Sequence, residues 1–160
     1  MAKTNEFEIY VQTAADVTAD NTTLDLTDYV DIADNEAFEI HDIAIVMDLD
    51  EAYPGQGTEY RFQLMDQNNG GFVAGVNRSS LYTCRQIFAV EAGSGEPEGI
   101  TEQTTFSELT PLIVSKTLYL RNQASAGLST NFTMRLKGKI VKPSAKDYMA
   151  LVLTQTGNVG

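Results

Sequence analysis

The chain has 160 residues, 42% of them hydrophobic and 21% charged, with a formal net charge of −11. Such a length and balance predict one domain, residues 1–160, that buries a full core without disulfides or a structural metal, and they exclude a disordered chain. No run nears the roughly 20 apolar residues of a membrane-spanning helix, Met1 to Glu6 lacks the apolar stretch of a secretory signal, and the acidic excess has the wrong sign for direct nucleic-acid binding.

Glu6 to Thr13 alternates, with Phe7, Ile9 and Val11 on one side and Glu6, Glu8, Tyr10 and Gln12 on the other. A period of two is what a strand with one buried face requires. Asp16 to Asn21 reads as a turn, and Thr22 to Asp31 as a short strand followed by a bend. Phe38 to Leu49 is the longest apolar run. Phe38 and Ile40 share one parity while Ile43, Ile45, Met47 and Leu49 share the other, so a β-bulge is expected near His41 and Asp42. Pro54 to Gly57 turns the chain, and Glu59 to Asp66 points Tyr60, Phe62 and Leu64 inward.

Gln67 to Gly71 is a hairpin or loop signal. Ser80 to Val90 is a further strand, with Tyr82, Cys84, Phe88 and Val90 on one face. Glu91 to Pro111 is mostly polar and reads as a long loop. Leu112, Val114, Leu118 and Leu120 share a parity across a strand broken at Ser115 and Lys116, and Ala124 to Ser129 is a turn. Asn131 to Lys142 sends Phe132, Met134, Leu136 and Ile140 inward and Arg135, Lys137 and Lys139 outward.

Pro143 ends that strand, and Ser144 opens a short C-terminal helix over 144–153, followed by a tail over 154–160. Ser144 and Asp147 have the spacing of a capping box. Tyr148, Leu151 and Val152 recur at helical spacing, with Met149 and Leu153 widening the apolar surface, so the helix needs cover from the sheets or from a neighbouring subunit. Seven or eight antiparallel-type strands without βαβ alternation predict an all-β fold, an eight-stranded β-sandwich with a terminal helix. A jelly roll and other Greek-key sandwiches share this pattern.

Few residues point to chemistry. With one histidine, His41, the chain lacks the imidazole set of a cupin-type metal site, and Glu39 is its nearest same-face acid. Asp48, Asp50 and Glu51 form an acidic turn without the spacing of an EF-hand loop. Twenty-two acids make a paired-carboxylate criterion unselective, and no nucleophile elbow, phosphate loop or dinucleotide fingerprint is present. The one cysteine, Cys84, reads as a small buried residue of a chain made in a reducing compartment. No catalytic residue, cofactor or metal ligand is assigned, and the expectation is a protein that is not an enzyme.

Charge is polarised along the chain. Residues 1–60 carry 15 acids against Lys3 alone, whereas residues 116–160 carry Asp147 against seven bases. Either one domain has two differently solvated faces, or the acidic half of one subunit meets the basic end of another. Arg135, Lys137, Lys139, Lys142, Lys146 and Tyr148 are the candidate interface residues on the second reading.

The stretch Leu24 to Asp34 leading into Ala37-Phe38-Glu39-Ile40, with Leu118-Tyr119-Leu120, the Arg135 to Lys142 strand and the Ser144 to Leu153 helix, has a familiar layout. It resembles the small single jelly-roll major capsid proteins of tailless icosahedral viruses with an internal membrane, of the sphaerolipovirus type. The resemblance implies a jelly-roll subunit of the virion, synthesised in the host cytoplasm, that self-assembles into capsomers. Its partners would be copies of itself, a second capsid protein and an internal virion membrane. The alternative is a ligand- or carbohydrate-binding β-sandwich module, receptor-binding or lectin-like, which would carry exposed aromatic side chains; the chain has no tryptophan.

Overall fold

The structure is a computed structural model that describes residues 3–15, 20–47, 58–74, 79–90, 97–104, 112–124 and 130–156. Nine strands and one helix are formed among them: β1 (Phe7–Ala15), β2 (Asp20–Leu24), β3 (Ala37–Met47), β4 (Thr58–Met65), β5 (Ser80–Val90), β6 (Pro97–Thr104), β7 (Leu112–Val114), β8 (Leu118–Ala124), β9 (Thr130–Val141) and α1 (Ala145–Thr156). The acidic turn at Asp48, Asp50 and Glu51, the Pro54 turn, residues 125–129 and the last four residues lie outside the described residues.

The strands form two antiparallel sheets, one of four strands in the order β1-β9-β3-β7 and one of five in the order β2-β8-β4-β5-β6. The pairs are nested. β1 lies beside β9, β2 beside β8, β3 beside β7 and β4 beside β5. One core joins both sheets: Ile9, Phe38, Ile40, Ile43, Phe132, Met134 and Leu136 from the first meet Tyr60, Phe62, Leu64, Tyr82, Cys84, Leu118 and Leu120 from the second. The Phe132 ring centroid lies 4.6 Å from that of Phe62 and 4.9 Å from that of Tyr60, which locks the two sheets face to face. At one corner Thr13 of β1 and Thr22 of β2 are 3.0 Å apart through their hydroxyls, and Asn122 of β8 donates to Thr13.

Of the inward residues read from alternation, Ile9, Phe38, Ile40, Ile43, Ile45, Tyr60, Phe62, Leu64, Tyr82, Cys84, Val114, Leu118, Leu120, Phe132, Met134 and Leu136 lie in the core, and Phe7, Val11, Leu112 and Ile140 pack against it; the side chains of Met47, Leu49, Phe88 and Val90 lie outside those described. The register of β3 on β9 shifts between Ile40 and Asp42, the bulge announced by the parity switch. Cys84 is buried, and burial pushes its thiol pKa up.

Nine strands stand among the described residues where eight were expected, and three further expectations need correction. Residues 97–104, read as part of a polar loop, form β6 and pair along β5. β6 is an outermost strand and begins at Pro97, the position where a strand tolerates proline. The run broken at Ser115 is two strands in different sheets, with β7 beside β3, β8 beside β2 and β4, and buried Ser115 between them. The helix runs to Thr156, so the first residues of the expected tail continue it. Its cap also differs in detail. The Asp147 amide donates to Ser144 Oγ at 3.2 Å, but the Ser144 hydroxyl donates to the Asp147 carboxylate at 2.6 Å instead of leaving it for the backbone.

Candidate functional site

β9 runs between β1 and β3, so its outward side chains, Arg135, Lys137 and Lys139, project between two strands that carry acids. Arg135 Nη2 donates to both oxygens of Glu8, at 2.9 and 3.1 Å, with its guanidinium 5.5 Å from the Tyr10 ring. Lys137 Nζ is 3.4 Å from Glu6, and Lys139 Nζ is 3.1 Å from Glu39. Beyond the strand end, Lys142 pairs with Asp34, and Lys3 pairs with both Asp34, at 3.3 Å, and Glu36. The basic end therefore meets the acidic end within one chain. Glu36 and Glu39 are largely buried, but most of the other side chains are a third to a half exposed, and such pairs contribute little to stability singly, so they set register and solvation more than they hold the fold.

His41 sits at the centre of this arrangement because of the bulge. An unbroken alternation would turn Asp42 or Ile43 the wrong way; the extra residue lets His41 and Asp42 both face outward while Ile43 returns to the core. His41 Nε2 lies 2.6 Å from Glu39, and Nδ1 contacts Glu6. With carboxylates against both nitrogens, the imidazolium is the favoured form, and the hydrogen bond to Glu39, then that to Glu6, raises the His41 pKa. The Glu6 pKa is lowered, chiefly by His41. Burial pushes Glu39 up, but its bonds with His41 and Lys139 outweigh that and leave it lowered. The result is an alternating row, Lys137, Glu6, His41, Glu39 and Lys139, drawn from β9, the residue before β1, and β3. It neutralises charge. It offers a substrate no unpaired acid or base.

The remaining candidates divide. Tyr148, expected at a subunit boundary, is only 5% exposed and packs with Ala37 and Val141 under Leu151 and Val152, so it anchors α1 to its own chain. Lys146 is exposed and makes no ion pair among the described residues. On its face of α1, at i+3 and i+7, Met149 and Leu153 are 57% and 63% exposed. The helix is thus apolar on two sides and covered on one.

Sequence reasoning missed a second feature. The link from β2 to β3 folds into two single 3-10 turns, Leu26–Asp28 and Ile32–Asp34, capped by the Asp25 and Asp31 side chains, which accept from Thr27 N, and from Ala33 N and Asp34 N. Asn35 closes the second turn with φ +57°, a left-handed conformation that asparagine tolerates. Residues 27–33 and Glu36 line a shallow hollow of about 540 Å³ with exposed Tyr29 and Ile32 at its wall and Asp28 and Asp31 beside them. The closely spaced aspartates signalled the turns, but no local pattern signalled a hollow. No protein-family model matches this chain, and no curated protein matches it significantly.

Proposed function

We propose that the chain is a structural subunit, a single jelly-roll capsid protein that associates with copies of itself into the capsomers of an icosahedral shell. The observation that carries this reading is the strand order. Nested pairs β1 with β9, β2 with β8, β3 with β7 and β4 with β5 are what results when one long hairpin is rolled into two sheets, with β6 as an added strand at the rim of the second. Fold alone does not assign function. Jelly rolls serve mainly as capsid subunits, lectins and cupins. A single histidine held between two glutamates argues against the cupin branch, and a chain without tryptophan is poorly supplied for stacking sugars.

The uncovered side of α1 supports self-association. Lys146, Met149 and Leu153 present a basic-apolar ridge, and the hollow at residues 27–36 presents apolar walls with acids beside them. A ridge on one copy entering the hollow of the next is a head-to-tail contact, the kind that closes into rings. The test is sedimentation and negative-stain microscopy across salt and pH. Wild type should form rings or sheets at high concentration, and Met149→Glu with Leu153→Glu should stay monomeric with unchanged circular dichroism. A wild-type chain that remains monomeric throughout refutes the proposal. A double variant that assembles like wild type refutes the assignment of α1.

A further inference from the structure

The outer face of the five-stranded sheet carries three of the chain's five arginines, in a molecule of net charge −11. Arg85 of β5 stands directly opposite Arg61 of β4. Arg61 stands opposite Gln123 of β8, which places Arg121 on the diagonal from it. Like charges so close on a sheet are unfavourable unless an anion lies between them. Glu59 fills that role for two of them, 2.5 Å from Arg61 Nε and 2.7 Å from Arg85 Nε. Arg121 is left over.

Its surroundings are built. The Gln63 side chain, opposite Arg121 on β4, accepts from the Val73 amide and donates to the Val73 carbonyl, both at 2.8 Å, and so fastens segment 66–74 over the sheet. That brings the Phe72 ring to 5.8 Å from the Arg121 guanidinium. Nε and Nη1 of Arg121 are thereby shielded from solvent, and neither makes a hydrogen bond. Gln63 Nε2, which also donates toward Ser80 and Thr83 at 3.2 Å, is itself a donor and cannot serve a guanidinium, and the bond to Gln63 Oε1 comes from the Val73 amide. A guanidinium cannot shed its proton at any pH a protein survives, so the charge and the unmet donors persist together. Most buried donors in native proteins have partners.

The geometry points to Arg121 as the receptor of a carboxylate, held by the guanidinium beneath Phe72 on the outer face of the five-stranded sheet. The planar fork fits a planar oxyanion with two acceptor atoms. One positive charge, with no second free cation converging on it among the described contacts, matches a single negative charge better than a phosphate dianion. The carboxylate comes either from a small free acid or from an acidic side chain of another copy. The site lies on the other sheet from the one α1 packs against; a free acid needs no assembly, whereas a carboxylate from a second copy rests on the self-association proposed above.

The test follows the Arg121 Nε–H resonance of the full chain while sodium acetate replaces chloride at constant ionic strength, with inorganic phosphate as the comparison. A saturable shift with acetate, accompanied by a rise in Tm that needs at least tenfold more acetate in Arg121→Lys and is absent from Arg121→Met, is the result expected for a free acid. No response to acetate, but a fall in self-association by at least tenfold in Arg121→Lys, assigns the carboxylate to a second copy. A response to phosphate alone overturns the choice of carboxylate. If wild type answers neither anion and both variants associate as it does, the site is filled by water only and the inference is wrong.

Discussion

Gly138→Ala tests the packing that sets the bulge and the charged row above it. Gly138 sits on β9 between Phe7 of β1 and Ile40 of β3, one pair before the register shift. A Cβ there would lie 2.8 Å from Cζ and 3.0 Å from Cε1 of Phe38, and closer still to the Glu39 carbonyl oxygen. Neither neighbour can yield easily. Phe38 is fully buried and rests against Phe7 with ring centroids 5.5 Å apart, and the Glu39 carbonyl is backbone in the middle of a sheet. Overpacking of this kind costs about 1–3 kcal/mol, and the backbone clash places it at the upper end. Losing glycine's unfolded-state freedom returns about 0.4–1 kcal/mol. A net loss of about 2 kcal/mol is expected, which in a domain of this size lowers Tm by roughly 4–8 °C. Calorimetry and urea denaturation measure it. Gly71→Ala is the control, because nothing lies within 4 Å of a Cβ at that position, and it should stay within about 0.5 kcal/mol of wild type. A Gly138→Ala protein as stable as that control would refute the argument.

Two further predictions concern titration. Glu59, held down to a pKa of about 2 first by Arg85 and then by Arg61, against an ordinary 4.5, is depressed on folding, so its contribution is present above pH 4.5 and fades as pH falls toward 2. Glu59→Gln should therefore destabilise by about 1–2 kcal/mol at pH 7, less than the full shift implies because both arginines are half-exposed and screened; urea titrations at pH 7 and pH 2 should show the difference shrink, and a difference unchanged at pH 2 contradicts it. His41 is raised, so its pairing with Glu39 and Glu6 is complete below its unfolded value of 6.5 and is lost as pH rises through the higher folded value. A proton NMR titration should place the His41 pKa above 6.5, and Glu39→Gln should lower it; a value below 6.5 refutes the bridging arrangement.

Much of the fold was legible locally. Alternation of period two named the inward residues of β1, β3, β4 and β9, because side chains on a pleated strand leave opposite faces whatever the strand pairs with. The bulge was legible for the same reason, as a break in parity at His41 and Asp42. Ser144, Asp147 and Pro143 marked the start of α1 through local chemistry. β6 was missed because an outermost strand need not alternate, and polar residues with proline at its start look like a loop.

What the sequence by itself determined, then, was the set of strands with one buried face, the bulge, the helix start and the polarity of charge along the chain. Only the tertiary structure decided which strands are neighbours. Pairing β1 with β9 joins residues more than a hundred positions apart, and no local pattern carries that information. Register then decided the fate of the charges, placing Arg135, Lys137 and Lys139 against Glu8, Glu6 and Glu39 of the same chain where composition allowed a partner subunit equally well. It also turned Tyr148 into an anchor, left Met149 and Leu153 exposed, and left Nε and Nη1 of Arg121 shielded without a hydrogen bond. Burial and ion pairing depend on distances across the sheets, and those exist only once the chain has closed on itself.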